Sequence, residues 1–183
     1  MELKIKQKKL TFFVDQYEVF EDEDLIFTAK SIFFSFPKKV KVFNQNNVEK
    51  IKLIKAITWI HPKFDIIFPG GTHLSLEGKS WIYDYFTLRV PEGTFEIHHQ
   101  KGLKLTIFLN SEQVAEISKN TVSYFGGDQY QILANSDINK ELLVGICLAW
   151  DLNDFDNNSS VNIDLGNIGP VKKKADSNWR PKK

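Results

Sequence analysis

Lysines are the residues of this chain whose spacing points to a ligand. Of 24 basic residues, only Arg89 and Arg180 are arginines. Lys39 and Lys41 stand two apart in Lys39-Val40-Lys41-Val42-Phe43, and Lys50 and Lys52 stand two apart in Glu49-Lys50-Ile51-Lys52-Leu53. In an extended strand that spacing puts each pair on one face. Between the segments lies Asn44-Gln45-Asn46-Asn47, suited to a hairpin turn because Asn tolerates left-handed backbone. If residues 40–43 pair with 48–53, the ammonium groups of Lys39, Lys41, Lys50 and Lys52 form one basic patch. Such a patch offers point charges to phosphate rather than the bidentate fork of arginine. The expected ligand is an anionic headgroup or an acidic partner. The competing reading is a sheet face whose charges only solubilise the protein.

The other chemistry-bearing residues point to structure. His98 and His99 are neighbours on a strand, face opposite ways and cannot chelate one ion together. His61 sits in a turn, and His73 has no cysteine or second histidine at ligand spacing, so no metal is expected. Cys147 is the single cysteine and lies in an apolar run, where a thiol packs as a small hydrophobe. No serine has a Gly-x-Ser-x-Gly setting. Pro69-Gly70-Gly71-Thr72 lacks the length and the lysine of a phosphate loop and reads as a turn. Glu21-Asp22-Glu23-Asp24 reads as a solvated hairpin tip. Asp154, Asp156 and Asn158 have the first three spacings of a calcium loop, but Ser159 and Leu165 stand where Gly and the closing Glu are required. No cofactor and no enzymatic reaction are expected.

Composition narrows the class further. A length of 183 residues suits one domain, and 15 Phe can fill a sizeable core. A net charge of +1 argues against a protein that holds nucleic acid by bulk positive charge. The N-terminal stretch has lysines but no apolar core of a signal peptide, so a cytoplasmic location is expected. The last twelve residues carry six basic side chains and one acid. The expected organisation is one domain over 1–170 and a basic, disordered tail over 171–183, which would add weak attraction to anionic lipid.

The elements that must position the lysines are organised around residues 142–150, Leu-Leu-Val-Gly-Ile-Cys-Leu-Ala-Trp, the longest apolar run. A segment with no polar face must be surrounded, and nine residues are too few for a bilayer, which needs about 20. Asn135, Ser136, Asp137 and Asn139 supply N-cap candidates, Glu141 suits the first turn, and a helix over 138–150 is expected to end before Asp151. Elsewhere short alternating segments separated by turns read as about a dozen strands. A further strand over 161–165 is expected after the helix. Residues 34–43 and 59–68 repeat at a spacing of 25, aromatic, Pro, Lys and strand in step; 124–133 is a looser third copy. Lys30, Lys55 and Lys119 precede the three copies. Such units suggest hairpins around a common axis. A sheet whose edges must be hidden and a helix with no wet face have one joint solution: a closed antiparallel β-barrel threaded by the helix.

Gln113-Val114-Ala115-Glu116-Ile117-Ser118-Lys119, an aromatic crossing at Tyr124-Phe125, Gly127-Asp128-Gln129-Tyr130 and an apolar helix ending in Ala149-Trp150-Asp151 resemble the LURP-one-related family. The hairpin over 17–30 and Phe33-Phe34-Ser35 fit its opening. The resemblance covers roughly 10–155. It implies the tubby C-terminal-like fold, related to phospholipid scramblases: a 12-stranded barrel around a buried C-terminal helix. It also suggests a non-enzymatic binding or scaffold protein, with anionic phospholipid headgroups as ligand and a location peripheral to the membrane. Tubby headgroup residues and scramblase lipidation and calcium segments have no counterparts to carry over. The alternatives are a protein-interaction module using an aromatic patch from Trp59, Trp81 or Tyr124, and an enzyme with a barrel-mouth site.

Overall fold

A computed structural model describes residues 1–11, 14–32, 35–79, 85–120, 127–157 and 173–183, with backbone alone at 9–11, 14 and 154–157. The chain forms strands β1 (Glu2–Thr11), β2 (Val14–Glu21), β3 (Asp24–Ser31), β4 (Lys39–Asn44), β5 (Glu49–Lys55), β6 (Lys63–Ile67), β7 (His73–Gly78), β8 (Tyr85–Val90), β9 (Gly93–Gln100), β10 (Lys104–Leu109), β11 (Glu112–Asn120) and β12 (Gln129–Ala134), then helix α1 (Lys140–Asn157). Each strand pairs antiparallel with its neighbours in sequence, and β12 returns to β1 with Glu2 opposite Leu133 and Lys6 opposite Gln129. The closed meander leaves no free sheet edge, as the alternation requires.

One side of each strand feeds a single core. Ile5 of β1, Val19 of β2, Val42 of β4, Ile51 of β5, Ile66 of β6 and Ile132 of β12 are fully buried, and their β-branched side chains suit the pleated wall. The helix fills the centre: every residue from 142 to 152 is buried. A Cβ on Gly145 would lie 3.1 Å from Ile51 Cδ1 and 3.3 Å from Ile66 Cδ1, so the helix axis comes close to β5 and β6 there. Asn139 caps the helix, its Oδ1 accepting from the Leu142 N–H at 2.7 Å. The helix starts two residues later than the sequence suggests, with Ile138 in the preceding turn, its N–H bonded to the Asn135 carbonyl. It also continues past Asp151 to Asn157. Asp151 does not end the helix because its carboxylate is satisfied inside the barrel.

The meander puts the turns before β3, β5, β7, β9 and β11 at the end where the helix enters. The connections leading into β2, β4, β6, β8, β10 and β12 lie at the other end. The two close copies of the repeat are the crossings into β4 and β6, which share the far rim; residues 124–126 of the third copy lie outside the described residues. Residues 161–165, for which a last strand is expected, lie outside the described residues.

The tail departs from expectation. Residues 173–183 lie along the outer wall rather than hanging free. Gln100 donates to the Lys173 carbonyl and accepts from the Ala175 N–H; Gln113 accepts from the Asp176 N–H; Asn135 accepts from the Lys182 N–H. Lys173 stands 4.1 Å from the centroid of the Phe108 ring. Leu105 and Ile107 of β10 join the core, whereas Phe108 is buried outside that cluster. The tail therefore covers an outward-facing aromatic that would otherwise be wet, and side-chain amides of the wall take up its backbone groups.

Candidate functional site

The lysines occupy the outer face of β3, β4 and β5. The hairpin forms in the expected register, with Val40 opposite Leu53 and Val42 opposite Ile51, both inside, which turns Lys39, Lys41, Lys50 and Lys52 outward. Lys41 lies directly opposite Lys52, and on its other side directly opposite Lys30. The result is a line of three lysines across three strands, at about 4.8 Å per strand. Two of the four expected residues are partly neutralised. Lys41 Nζ is 2.7 Å from Glu49 Oε2, and Lys50 Nζ is 4.0 Å from Glu141 Oε1 at the start of the helix. Lys30, Lys39 and Lys52 have no carboxylate partner among the described residues. Sequence spacing alone misses Lys30, which stands out only as the lysine before the first repeat copy.

A second polar cluster lies inside, where the helix leaves the barrel. Tyr17 donates to Asp151 Oδ2 at 2.5 Å, and Tyr130 donates to Asp151 Oδ1. Lys119 points inward from β11, 2.9 Å from Asp128 Oδ2 and 3.9 Å from Asp151 Oδ1. Gln7 links the ring, donating to Asp15 at 3.2 Å and accepting from the Asp128 N–H at 3.0 Å. Burial, and then the charge of Asp151, push the phenols of Tyr17 and Tyr130 well above their ordinary range. Burial does the same to the thiol of Cys147, one helical turn before Asp151. Both tyrosines are therefore donors and the cysteine is a protonated core side chain; the arrangement plugs the barrel rather than activating a nucleophile.

This cluster gives stability a defined alkaline limit. The unfolded chain releases the Cys147 and tyrosine protons near their ordinary values of 9.0 and 10.0, while the folded protein retains them. Their contribution is thus complete below the lower value and declines as pH rises. The slope is on the order of 1.4 kcal/mol per pH unit for each group. Urea midpoints measured between about pH 8 and about pH 11 should fall in the native protein and fall less steeply in Tyr17→Phe. Equal slopes would show that Tyr17 does not carry the effect.

The histidines do not converge. His98 faces outward and stacks on Tyr85, ring centroids 5.2 Å apart, while His99 meets Trp150 inside at 5.8 Å. His73 Nε2 lies 3.1 Å from Asp65 Oδ1. A groove of about 300 Å³ runs over the outer wall at β7 and β8, lined by His73, Ser75, Glu77, Lys79, Thr87 and Arg89. Its one acid, Glu77, is held below the usual carboxylate range by a hydrogen bond from Lys79 and by the charges of Lys79 and Lys63. It stays ionised and is a poor proton donor near neutrality. Trp59 is exposed on the far rim; Trp81 and Tyr124 lie outside the described residues.

No helix among the described residues is long and apolar enough to cross a membrane. Compared with known proteins, residues 1–151 match the family model described as LURP-one-related. No curated protein and no solved structure matches the chain.

Proposed function

The chain belongs to the LURP-one-related family, and within it we propose a non-enzymatic binding protein whose barrel wall engages anionic phospholipid headgroups at a membrane surface, on the cytoplasmic side. The observation that carries this reading is the line Lys30–Lys41–Lys52. Like charges placed directly opposite each other across a sheet are destabilising, and here two such pairs adjoin. Glu49 offsets one charge of the three. An array of anions laid across the strands would relieve the rest, and Lys39 and Lys52 have no carboxylate partner among the described residues to hold them back from it. Lysine suits such a surface because it binds phosphate as a point charge and does not require the fixed approach of a guanidinium.

Each basic residue near an anionic surface contributes about 1 kcal/mol, so Lys39→Ala/Lys52→Ala should weaken partition onto phosphatidylserine-containing vesicles roughly thirtyfold. Raising salt to about 1 M, where the Debye length is about 3 Å, should release the native protein. Flotation on a density gradient reads both. Equal recovery of native and double-variant protein would remove the lysines from the site. Absence of flotation at low salt would remove the lipid.

A further inference from the structure

The repeated segments put two neighbouring loops on the far rim, both apolar at their tips. In the crossing from β5 to β6, Trp59 is 99% exposed, Ile57 64% and Ile60 65%; in the crossing from β3 to β4, Phe36 is 85% exposed. The loops adjoin, since the Lys55 N–H bonds to the Lys38 carbonyl at 3.0 Å. Neither loop contains an acidic residue. Directly behind the tips stand Lys30, Lys38 and Lys39, at the strand ends of the wall described above; Lys55 alternates with the buried Ile51 and Leu53 and turns inward, its Nζ 5.6 Å from the centroid of the Phe64 ring.

These tips are not exposed for want of structure. The β5–β6 loop is closed by the Ala56 N–H to the Lys63 carbonyl at 2.8 Å and by Thr58 Oγ1 to the His61 carbonyl at 2.6 Å. Pro62 is seated on Gly78 of β7, whose N–H donates to the Pro62 carbonyl at 2.8 Å; a Cβ on Gly78 would come within 2.9 Å of Pro62 Cδ, so the fit depends on glycine. These bonds close the base of the loop and seat it on β7, while its large apolar side chains turn away from the core.

We propose that this rim is a membrane-insertion surface: Phe36, Ile57, Trp59 and Ile60 enter the interfacial layer of an anionic bilayer while the lysines behind them meet its headgroups. The inference rests on the headgroup reading and adds to it a bilayer, rather than a soluble phosphate, as the ligand. Charge decides between occupants. An apolar tip framed by lysines, with no acid on either loop, complements a surface that is negative outside and apolar within. Trp is the side chain that settles at that boundary, with an apolar body and an N–H for the headgroup region. Side chains on convex tips also reach about 5–10 Å below a headgroup plane, the depth of an interfacial anchor.

The test uses the full chain. Ile60→Cys supplies one accessible thiol for an environment-sensitive fluorophore, since Cys147 is buried. With phosphatidylserine-containing vesicles at low salt, the labelled protein should float and its emission should shift to the blue. Trp59→Ser should weaken flotation about tenfold to a hundredfold, the equivalent of one large apolar side chain withheld from burial. Flotation with no blue shift and no loss in Trp59→Ser would overturn insertion while leaving the lysine wall as the binding surface; the rim would then be a protein-docking patch. Failure to float at low salt would overturn the headgroup reading itself, and insertion with it.

Discussion

Asp151→Ala is expected to destabilise the protein by about 3–5 kcal/mol, the range for removing one partner of a buried charged network. For a chain of this size that corresponds to a fall in Tm of roughly 10 °C or more. The loss is large because of what stays behind. Tyr17 and Tyr130 both donate to this carboxylate, and both phenols are buried. Without it the two hydroxyls lose the acceptor they share, since Gln7 donates to Tyr17 rather than accepting from it, and Lys119 loses one anionic neighbour while keeping Asp128. The cost of an unmade buried hydrogen bond exceeds the net gain from a made one. The same asymmetry supplies a control. Removing acceptor and donors together, in Asp151→Leu with Tyr17→Phe and Tyr130→Phe, should recover part of the loss. Thermal unfolding of the single and triple variants decides it: a single variant within about 1 kcal/mol of native would mean that the cluster is incidental.

How far such features can be read in advance depends on the distance over which they are written. Leu3, Ile5, Val19, Val42, Ile51 and Leu53 are legible as wall residues because alternation is local and each strand has one apolar side. The helix is legible because residues 142–150 have no polar side at all, and an element without a wet face has to be enclosed. The hairpin carrying Lys39, Lys41, Lys50 and Lys52 is legible because its Asn turn fixes the pairing. The role of Asp151 is not. A charge after an apolar run ordinarily marks the return to water, and Tyr17 lies 134 residues away in sequence. Nothing local distinguishes a helix terminator from a buried acceptor. Lys30 is missed for a related reason: its place beside Lys41 depends on the β3–β4 register, and the segment between those strands has no turn signal as strong as the Asn run. Glu141, which takes part of the charge of Lys50, is brought to the sheet only by the threading of the helix. The tail is misread because composition records charge and Pro, whereas its docking depends on Gln100, Gln113 and Asn135 having amides to spare.

Trp150→Ala is the second variant with a large expected effect, about 3–5 kcal/mol for a buried aromatic truncated in a packed interior. The ring lies 5.8 Å from both His99 and Tyr130 in edge-on geometry, at the level where the helix leaves the barrel. The strands around it are tied into a closed ladder and cannot collapse into the space. Trp150→Phe keeps part of the volume and should cost less. The more informative experiment pairs this variant with Asp151→Ala. Tyr130 serves both neighbours, its hydroxyl on Asp151 and its ring against Trp150. Once either is gone, Tyr130 has less to lose from removal of the other. The double variant should therefore be less destabilised than the sum of the singles, by an interaction energy of roughly 0.5–3 kcal/mol for residues in contact. Strict additivity would mean that the polar plug and the aromatic packing are independent. A shortfall would show that one tyrosine couples the charge of the helix to its packing.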